Sequence, residues 1–130
     1  MPNAVSVVEA SAFAALSAGV TLATVYQHVP QDTPPPVVIV ADMDAERLGT
    51  KEGDPDRSIT LSIVTVTEGE ARKPLLDIQG EIETTLDGLR VTPAGWVLKF
   101  AFQSSDGALM EDGKTYVGTS RFNVLALSND

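Results

Sequence analysis

The stretch VYQHVPQDTPPPVVIV, residues 25–40, decides the fold because it sets a proline-rich loop between two extended apolar pieces. Pro34, Pro35 and Pro36 fix three successive φ angles and remove three backbone donors, so this segment can form neither a helix nor a central strand. The β-branched run that follows, Val37–Val40, favours a strand buried in the middle of a sheet. The loop and its flanking strands therefore indicate a fold that contains a sheet.

Two other segments have the apolar spacing of amphipathic helices. Asn3 can cap the first, which ends at Gly19 and has small Ala and Ser side chains on its other face. That face leaves two arrangements open: the helix packs only on its own sheet, or a neighbouring subunit covers it as well. The second helix begins at about Ala71 or Pro74 and ends at Asp87, where a glycine follows as a C-terminal cap.

Three further segments have strand patterns. Ser58–Thr67 alternates apolar and polar residues, although valines on the second face near its end indicate either that both faces are covered or that a bulge switches them. Trp96–Gln103 and Tyr116–Leu127 alternate in the same way and predict a hairpin. Together the patterns predict an α+β fold in one domain spanning residues 1–130. We expect a mostly antiparallel sheet of about four or five strands with two helices packed on one face.

Two polar segments interrupt these elements. Asp42–Arg57 mixes charges of both signs with glycine and proline, which predicts a long exposed loop or a mobile hairpin tip. Either this loop is simply solvated or disordered, or it is ordered and contacts a partner. Ser104–Lys114 contains two Asp-Gly pairs and is predicted to be the turn of the last hairpin.

Composition excludes several classes of function. With 9 basic and 18 acidic residues the chain carries a net charge of −9, and no basic stripe is present, so we expect no nucleic-acid binding. The chain has no cysteine, which excludes disulfides, thiolate catalysis and cysteine-ligated metals. No window of 18 uninterrupted apolar residues predicts a membrane span, and the N-terminal pattern argues against a signal peptide.

Candidate catalytic groups are few. His28 is the only histidine, and no nucleophile–histidine–acid set, phosphate-binding glycine loop or GxSxG motif accompanies it. The acidic segment that begins at Asp42 fails the EF-hand test, because Arg47 stands where glycine is required and Gly53 where the bidentate glutamate is required. We therefore expect no catalytic residue, no cofactor and no metal site, and interpret the protein as a non-enzyme.

The order of short motifs resembles one known family. The resemblance extends from about residue 5 to residue 127. The motifs that carry it, in order, are Val25-Tyr26, His28-Val29-Pro30, the proline loop, Val37–Val40, Leu86-Asp87-Gly88, Tyr116-Val117-Gly118 and Phe122-Asn123-Val124. This arrangement is similar to the tail-completion or tail-terminator proteins of long-tailed bacteriophages, prophages and gene-transfer particles.

The resemblance implies a structural role in a virion. Such proteins form a ring, usually of six subunits, on the head-proximal end of the tail tube after assembly in the host cytoplasm. They stop tube polymerisation and provide the surface for head-to-tail joining. The implied partners are further copies of the chain, the tail tube protein and the head connector or neck protein, and DNA passes through the lumen without specific binding. No membrane contact is implied.

On this hypothesis the polar loops carry the assembly contacts. The candidate residues are Asp42, Asp44, Glu46, Arg47, Lys51, Glu52, Asp54, Asp56, Arg57, Pro34, Pro35, Pro36, Asp106 and Asp112. Two alternatives remain: a neck or connector adaptor or minor tail-tube protein in the same virion, and a small ligand-binding module or enzyme.

Overall fold

The computed structural model describes residues 3–49, 53–93 and 95–129, and within them the chain forms two helices and six strands. Both helices pack on one face of the sheet and share a hydrophobic core with it, so the predicted α+β class is confirmed. The elements are α1 (Ala4–Gly19), β1 (Thr24–Tyr26), β2 (Val37–Arg47), β3 (Arg57–Glu68), α2 (Lys73–Leu86), β4 (Arg90–Val91), β5 (Trp96–Leu109) and β6 (Thr115–Ser128).

The first helix begins and ends where its sequence predicts. The Asn3 Oδ1 atom accepts hydrogen bonds from the backbone amides of Val5 (2.8 Å) and Ser6 (3.4 Å), which satisfies two donors that the helix cannot pair internally. At the other end Gly19 lies so close to α2 that a Cβ atom there would stand 2.3 Å from the Thr85 Oγ1 atom. This glycine therefore allows the two helices to approach each other.

The second helix buries a regular apolar stripe over the middle of the sheet. Leu75, Ile78, Ile82 and Leu86 are all at most 2% exposed, as their spacing predicts. Pro74 lies in the first turn, where a missing amide donor costs least. The helix packs on β3, β6 and β5, while α1 lies over β1 and β2.

The sheet is mixed and has six strands in the order β1-β2-β3-β6-β5-β4, so the expected count of four or five was too low. The extended piece predicted before the proline loop is the three-residue β1, whereas the two-residue β4 is not predicted. A strand as short as β4 carries too little alternation to be distinguished from loop by sequence. β1 runs parallel to β2, and the remaining neighbours are antiparallel, as predicted for most of the sheet.

Two β-bulges lie on either side of the central β3–β6 pair and at the same level. One falls between Val40 and Met43 on β2, and the other falls between Phe102 and Ser104 on β5. Each adds one residue and so exchanges the inward and outward positions of the strand beyond it. β3 itself pairs with β6 without interruption, so the bulge considered for the end of β3 is absent there.

The two faces of the sheet differ in how they are covered. The helix-covered face supplies the core, in which Phe122 is completely buried and makes an edge-to-face contact with Phe102 at 5.6 Å between ring centroids. On the opposite face Val64 and Val66 are only partly buried, and no helix of the described residues covers them. The second-face valines of β3 therefore belong to an uncovered surface, and not to a sheet covered on both sides.

Long strands extend into both polar segments, which corrects the prediction that these segments are loops throughout. β2 continues to Arg47 and β3 begins at Arg57, so the connection shrinks to residues 48–56. Likewise β5 continues to Leu109, and the last turn contains only residues 110–114. Pairing with the long neighbouring strands, for example Asp44 opposite Thr60, holds these polar residues extended despite their low strand propensity.

Candidate assembly surfaces

The predicted contact residues fall on separate parts of the surface, and several of them lie on strands rather than in loops. Asp42, Asp44, Glu46 and Arg47 are exposed along the outer half of β2. β1 pairs only with residues 37–39, so β2 beyond that point is an edge of the sheet. Charged side chains on an edge oppose unwanted strand pairing, and they leave this edge suited to polar contacts.

The residues of the β2–β3 connection are largely engaged within the chain. The Arg57 Nη1 atom donates to the backbone carbonyls of Asp54 (2.7 Å) and Asp56 (2.8 Å). The Asp56 Oδ1 atom accepts from the backbone amide of Ser128 at 2.6 Å, which ties this connection to the end of β6. These three predicted contact residues therefore hold the hairpin end in place. The predicted contacts Lys51 and Glu52 lie outside the described residues.

The segment that leads from α1 into β1 is fixed to α2 by one carboxylate. Glu81 accepts hydrogen bonds from the Thr21 amide (3.1 Å) and hydroxyl (2.7 Å) and from the Leu22 amide (3.1 Å). The hydrogen bond from the Thr21 hydroxyl, followed by those from the two amides, lowers the pKa of Glu81 despite the opposing cost of desolvation. The backbone of Leu22 is therefore anchored, while its side chain is 52% exposed.

An apolar groove lies beside this anchor, between the proline loop and the first turns of α2. We call it the α2 groove, and its volume is about 250 Å³. Two carboxylates, Glu68 and Asp77, stand in its lining, and Asp77 also pairs with Lys73 at 2.7 Å. The full lining is Leu22, Pro36, Thr67, Glu68, Pro74, Asp77 and Ile78.

The proline loop supplies the other walls of this region. Pro36 lines the α2 groove, and Pro34 and Pro36 line a second hollow of about 400 Å³ against the β1 segment. Pro35 is partly buried, and the peptide bond between Pro35 and Pro36 is cis. The loop therefore shapes the surface next to the sheet edge, and the role of its prolines as contacts stays a prediction.

The turn between β5 and β6 forms a compact tip, residues 109–114, which we call the hairpin tip. Leu109 and Met110 are 46% and 47% exposed there. The Asp112 carboxylate accepts hydrogen bonds from the Thr115 hydroxyl, the Lys114 amide (3.0 Å) and the Thr115 amide (2.9 Å). These bonds, the one from the Thr115 hydroxyl first, lower the pKa of Asp112 to about 2, so it is ionised and the turn is closed at neutral pH.

Asp106, predicted as a contact in a turn, lies instead on β5 and joins it to its neighbours. Its carboxylate accepts from Arg121 Nη1 (3.0 Å) and from the Thr119 amide (3.2 Å). The hydrogen bond from Arg121 contributes most to lowering the pKa of Asp106. Its backbone carbonyl accepts from the Gln79 Nε2 atom at 2.8 Å, which fixes α2 over this edge.

The residues considered in the sequence as catalytic or metal-binding groups lie exposed on the surface. His28 is exposed beside the proline loop. Within residues 3–49, 53–93 and 95–129 no group of three or more acidic or histidine side chains could hold a metal ion. The hollow of about 390 Å³ near Trp96 has a single charged residue in its lining, Arg57, whose guanidinium already donates to two carbonyls. No helix in the described part of the chain is long and apolar enough to cross a membrane.

Sequence reasoning missed the exposed apolar side chains. Leu22, Leu109 and Met110 lie at a helix–strand junction and next to a turn, where the surrounding residues are polar or small. The available signal was the Leu-Met pair directly before the turn, since such a position offers no core to bury two large apolar residues.

The comparison with known proteins gives these surfaces a context. The family model described as tail completion protein gp17 matches residues 7–126, nearly the whole chain. The chain belongs to this tail completion family. Family membership makes it a structural protein of a phage-type tail, as the resemblance implied.

A solved structure has the same fold as this tail completion family member. A chain of the virion of a native gene transfer agent (GTA) particle superposes with a TM-score of 0.71 at 14% sequence identity, covering 92% of this chain and 90% of that one. At this identity the similarity shows a common fold. No curated protein matches the chain.

Proposed function

We propose that the protein caps the head-proximal end of a phage-type tail tube as a ring of six subunits, ends tube polymerisation and forms the surface that joins the head. The observation that carries this proposal is the family match over residues 7–126. It includes all of α2, β2, β3 and β5 and most of α1 and β6, so nearly the whole fold, and not one motif, supports the proposal.

The geometry is compatible with assembly through several surfaces. A closed ring of identical subunits needs two different patches on each copy, because each interface is heterologous. The described residues provide separate surfaces of this kind: the charged edge of β2, the proline loop with the α2 groove, and the hairpin tip. We propose that these surfaces are divided among the neighbouring copies, the tail tube protein and the head connector.

Among the candidate contacts, Asp42, Asp44, Glu46 and Arg47 are best placed for a partner, because they are exposed on an edge strand. Asp54, Asp56 and Arg57 instead make hydrogen bonds within the chain, which hold the end of the β2–β3 hairpin in place. The net charge of −9 suits a ring through which DNA passes without being held, since like charges repel. The protein would assemble in the host cytoplasm and remain in the virion, without an enzymatic step.

Removing the protein from its particle system tests this function. We expect electron micrographs to show tails of irregular length that do not join heads, and we expect the wild-type chain supplied separately to restore uniform tails. Tails of normal, uniform length that still join heads in its absence would refute the proposal.

Locating the protein distinguishes the capping role from its closest competitors. Immunogold label at the junction between tube and neck is expected for a cap. Label only on the head side would indicate a neck adaptor, and label along the tube would indicate a minor tail-tube protein.

A further inference from the structure

Two exposed cations lie directly opposite each other at one edge of the sheet. Arg90 on β4 pairs with Lys99 on β5, and both neighbours of Lys99 along β5, Leu98 and Phe100, are buried in the core. Because side chains alternate along a strand, Arg90 and Lys99 both project from the face that no helix of the described residues covers. We call these two residues the cationic pair. Like charges directly opposite each other in a sheet destabilise it.

The subunit leaves the repulsion inside the cationic pair without compensation. Within the part of the chain that the structure describes, no carboxylate forms an ion pair with either cation. Arg121, on the same face, is by contrast paired with Asp106 at 3.0 Å. Asp87, which precedes β4, accepts a hydrogen bond from the Phe102 amide instead (2.9 Å). An uncompensated pair of this kind breaks a local rule of sheet stability, which indicates that the compensating charges belong to a partner.

The opposite edge of the sheet carries the complementary charge. Three exposed carboxylates on the unpaired part of β2 form what we call the anionic edge: Asp42, Asp44 and Glu46. Glu46 pairs with Ser58, which is next to the buried Ile59, so Glu46 and Asp44 project from the same uncovered face as the cationic pair. By the same alternation Arg47, the last residue of β2, points to the other side of the sheet.

The cationic pair and the anionic edge lie at one level of the sheet. The strand register places one residue from each of five neighbouring strands side by side: Arg90, Lys99, Leu125, Ser58 and Glu46. β1 does not reach this level, so the row ends at β2 on one side and at β4 on the other. Four strand spacings of about 4.8 Å separate Glu46 from Arg90 by roughly 19 Å. These two charges of one subunit therefore cannot pair with each other.

We propose that the anionic edge of one copy contacts the cationic pair of the next copy. This inference rests on the ring assembly proposed above and names the interface that closes the ring. Each copy carries a net charge of −9, so two copies repel each other unless opposite charges meet locally. Two anionic edges repel each other, and so do two cationic pairs, whereas the unlike flanks attract. The charges therefore select a head-to-tail contact between copies, which is the type a ring requires.

Two charge-reversed variants test whether the contact joins copies of this chain. The first carries Arg90→Glu and Lys99→Glu, and the second carries Asp44→Lys and Glu46→Lys; all four positions are exposed. In a ring of either variant alone, like charges meet at every interface. We expect sedimentation to show subunit association weakened by roughly four- to 25-fold, since two exposed ion pairs contribute about two- to five-fold each.

An equal mixture of the two variants is expected to recover wild-type association. In a ring in which they alternate, every interface brings unlike charges together again. The measurement uses a concentration at which the wild type assembles, or purified tail tubes. The proposal is overturned if the mixture associates no better than either variant alone, because the two flanks then contact a different protein. It is also overturned if each variant alone associates as tightly as the wild type, or if the chain stays monomeric even on tail tubes.

The single variant Lys99→Glu separates the contact from a structural role. The new carboxylate lies opposite Arg90 and removes the repulsion within the subunit, so the urea midpoint of unfolding should rise in dilute protein. Subunit association should nevertheless fall by about two- to five-fold, because a charge of the interface is reversed.

Lys73→Glu is the matched control for the change in net charge. Lys73 lies on α2, away from the uncovered face, and its side chain is 79% exposed. This variant is expected to leave subunit association unchanged. Equal losses for Lys73→Glu and Lys99→Glu would attribute the effect to net charge and overturn the proposal.

The outcome separates this inference from the proposed function. Rings that assemble from the mixture of variants but are absent from the head-proximal end retain the inference and refute the function. A protein at the tube end whose reversed variants do not restore each other retains the function and refutes the inference.

Discussion

Replacing Gly118 by alanine tests how closely α2 is seated on the sheet. Gly118 lies on β6, and an added Cβ atom would stand 2.3 Å from the Gln79 Nε2 atom and 2.7 Å from the Asp106 carbonyl oxygen. The Gln79 side chain can move, but only by breaking its hydrogen bond to that carbonyl. The carbonyl belongs to the backbone of β5, so it can retreat only if the strand shifts.

The expected cost follows from these two contacts. Losing the hydrogen bond costs about 1 kcal/mol, and overpacking costs about 1–3 kcal/mol. Alanine also lowers the conformational entropy of the unfolded chain, which raises the free energy of unfolding by roughly 0.5 kcal/mol. We therefore expect the free energy of unfolding of Gly118→Ala to fall by about 1.5–3.5 kcal/mol. The measurement is urea denaturation followed by the fluorescence of the buried Trp96 at constant protein concentration.

Gly80→Ala is the matched control for the same chemical change. Gly80 is an exposed interior residue of α2, and nothing lies within 4 Å of its added Cβ atom. Helix propensity predicts that this variant gains about 0.5–1 kcal/mol. In a double-mutant cycle, Gln79→Ala should reduce the cost of Gly118→Ala by relieving the closest contact. A Gly118→Ala protein as stable as wild type, or equal losses at both glycines, would refute this account of the packing.

Three further changes probe the local anchors. Glu81→Gln is expected to lower the free energy of unfolding by about 1 kcal/mol at pH 7, because a charged acceptor is lost. Folding lowers the pKa of Glu81, so the difference in stability between wild type and variant should disappear as the pH falls below about 4.5 and through the folded pKa. Equilibrium unfolding at several pH values measures this. Asn3→Ala should cost about 1 kcal/mol and Asn3→Ser much less in the same unfolding measurement, because serine can also accept from the first turn. Asp112→Ala should accelerate hydrogen exchange of the Lys114 and Thr115 amides, whereas unchanged exchange would mean that the carboxylate does not hold the turn.

The helices and the inward faces of the long strands could be predicted because local signals and tertiary packing agree. Asn3 caps α1, the stripe of α2 is buried, and Trp96, Leu98 and Phe100 share the core face of β5. In these elements the spacing of the apolar residues equals the repeat of the helix or strand that they form, so the sequence alone is enough to predict which residues are buried.

The polar strand ends could not be predicted, because pairing and not propensity holds them. Asp44 and Glu46 are extended opposite Thr60 and Ser58 in a ladder that continues from the apolar start of β2. Nothing in the sequence identifies the neighbouring strand, so the composition of the charged run predicts a loop. For the same reason the sequence does not predict that β1 pairs in parallel with β2. Nor does it predict where the exposed tip of the β5–β6 hairpin lies.

The two bulges limit how this chain can change in length during evolution. Before Gln103 the even-numbered residues of β5 point to the helices, as Phe100 does, and beyond it the odd-numbered ones do, as Gly107 does beneath Leu75. Deleting one residue there would turn Gly107 outward and drive its neighbours under α2, whereas losing or gaining two would keep the phase. We therefore expect relatives to differ along these hairpins by even numbers of residues. A sequence alignment that places a one-residue gap at residue 103 is expected to pair inward-facing positions with outward-facing ones.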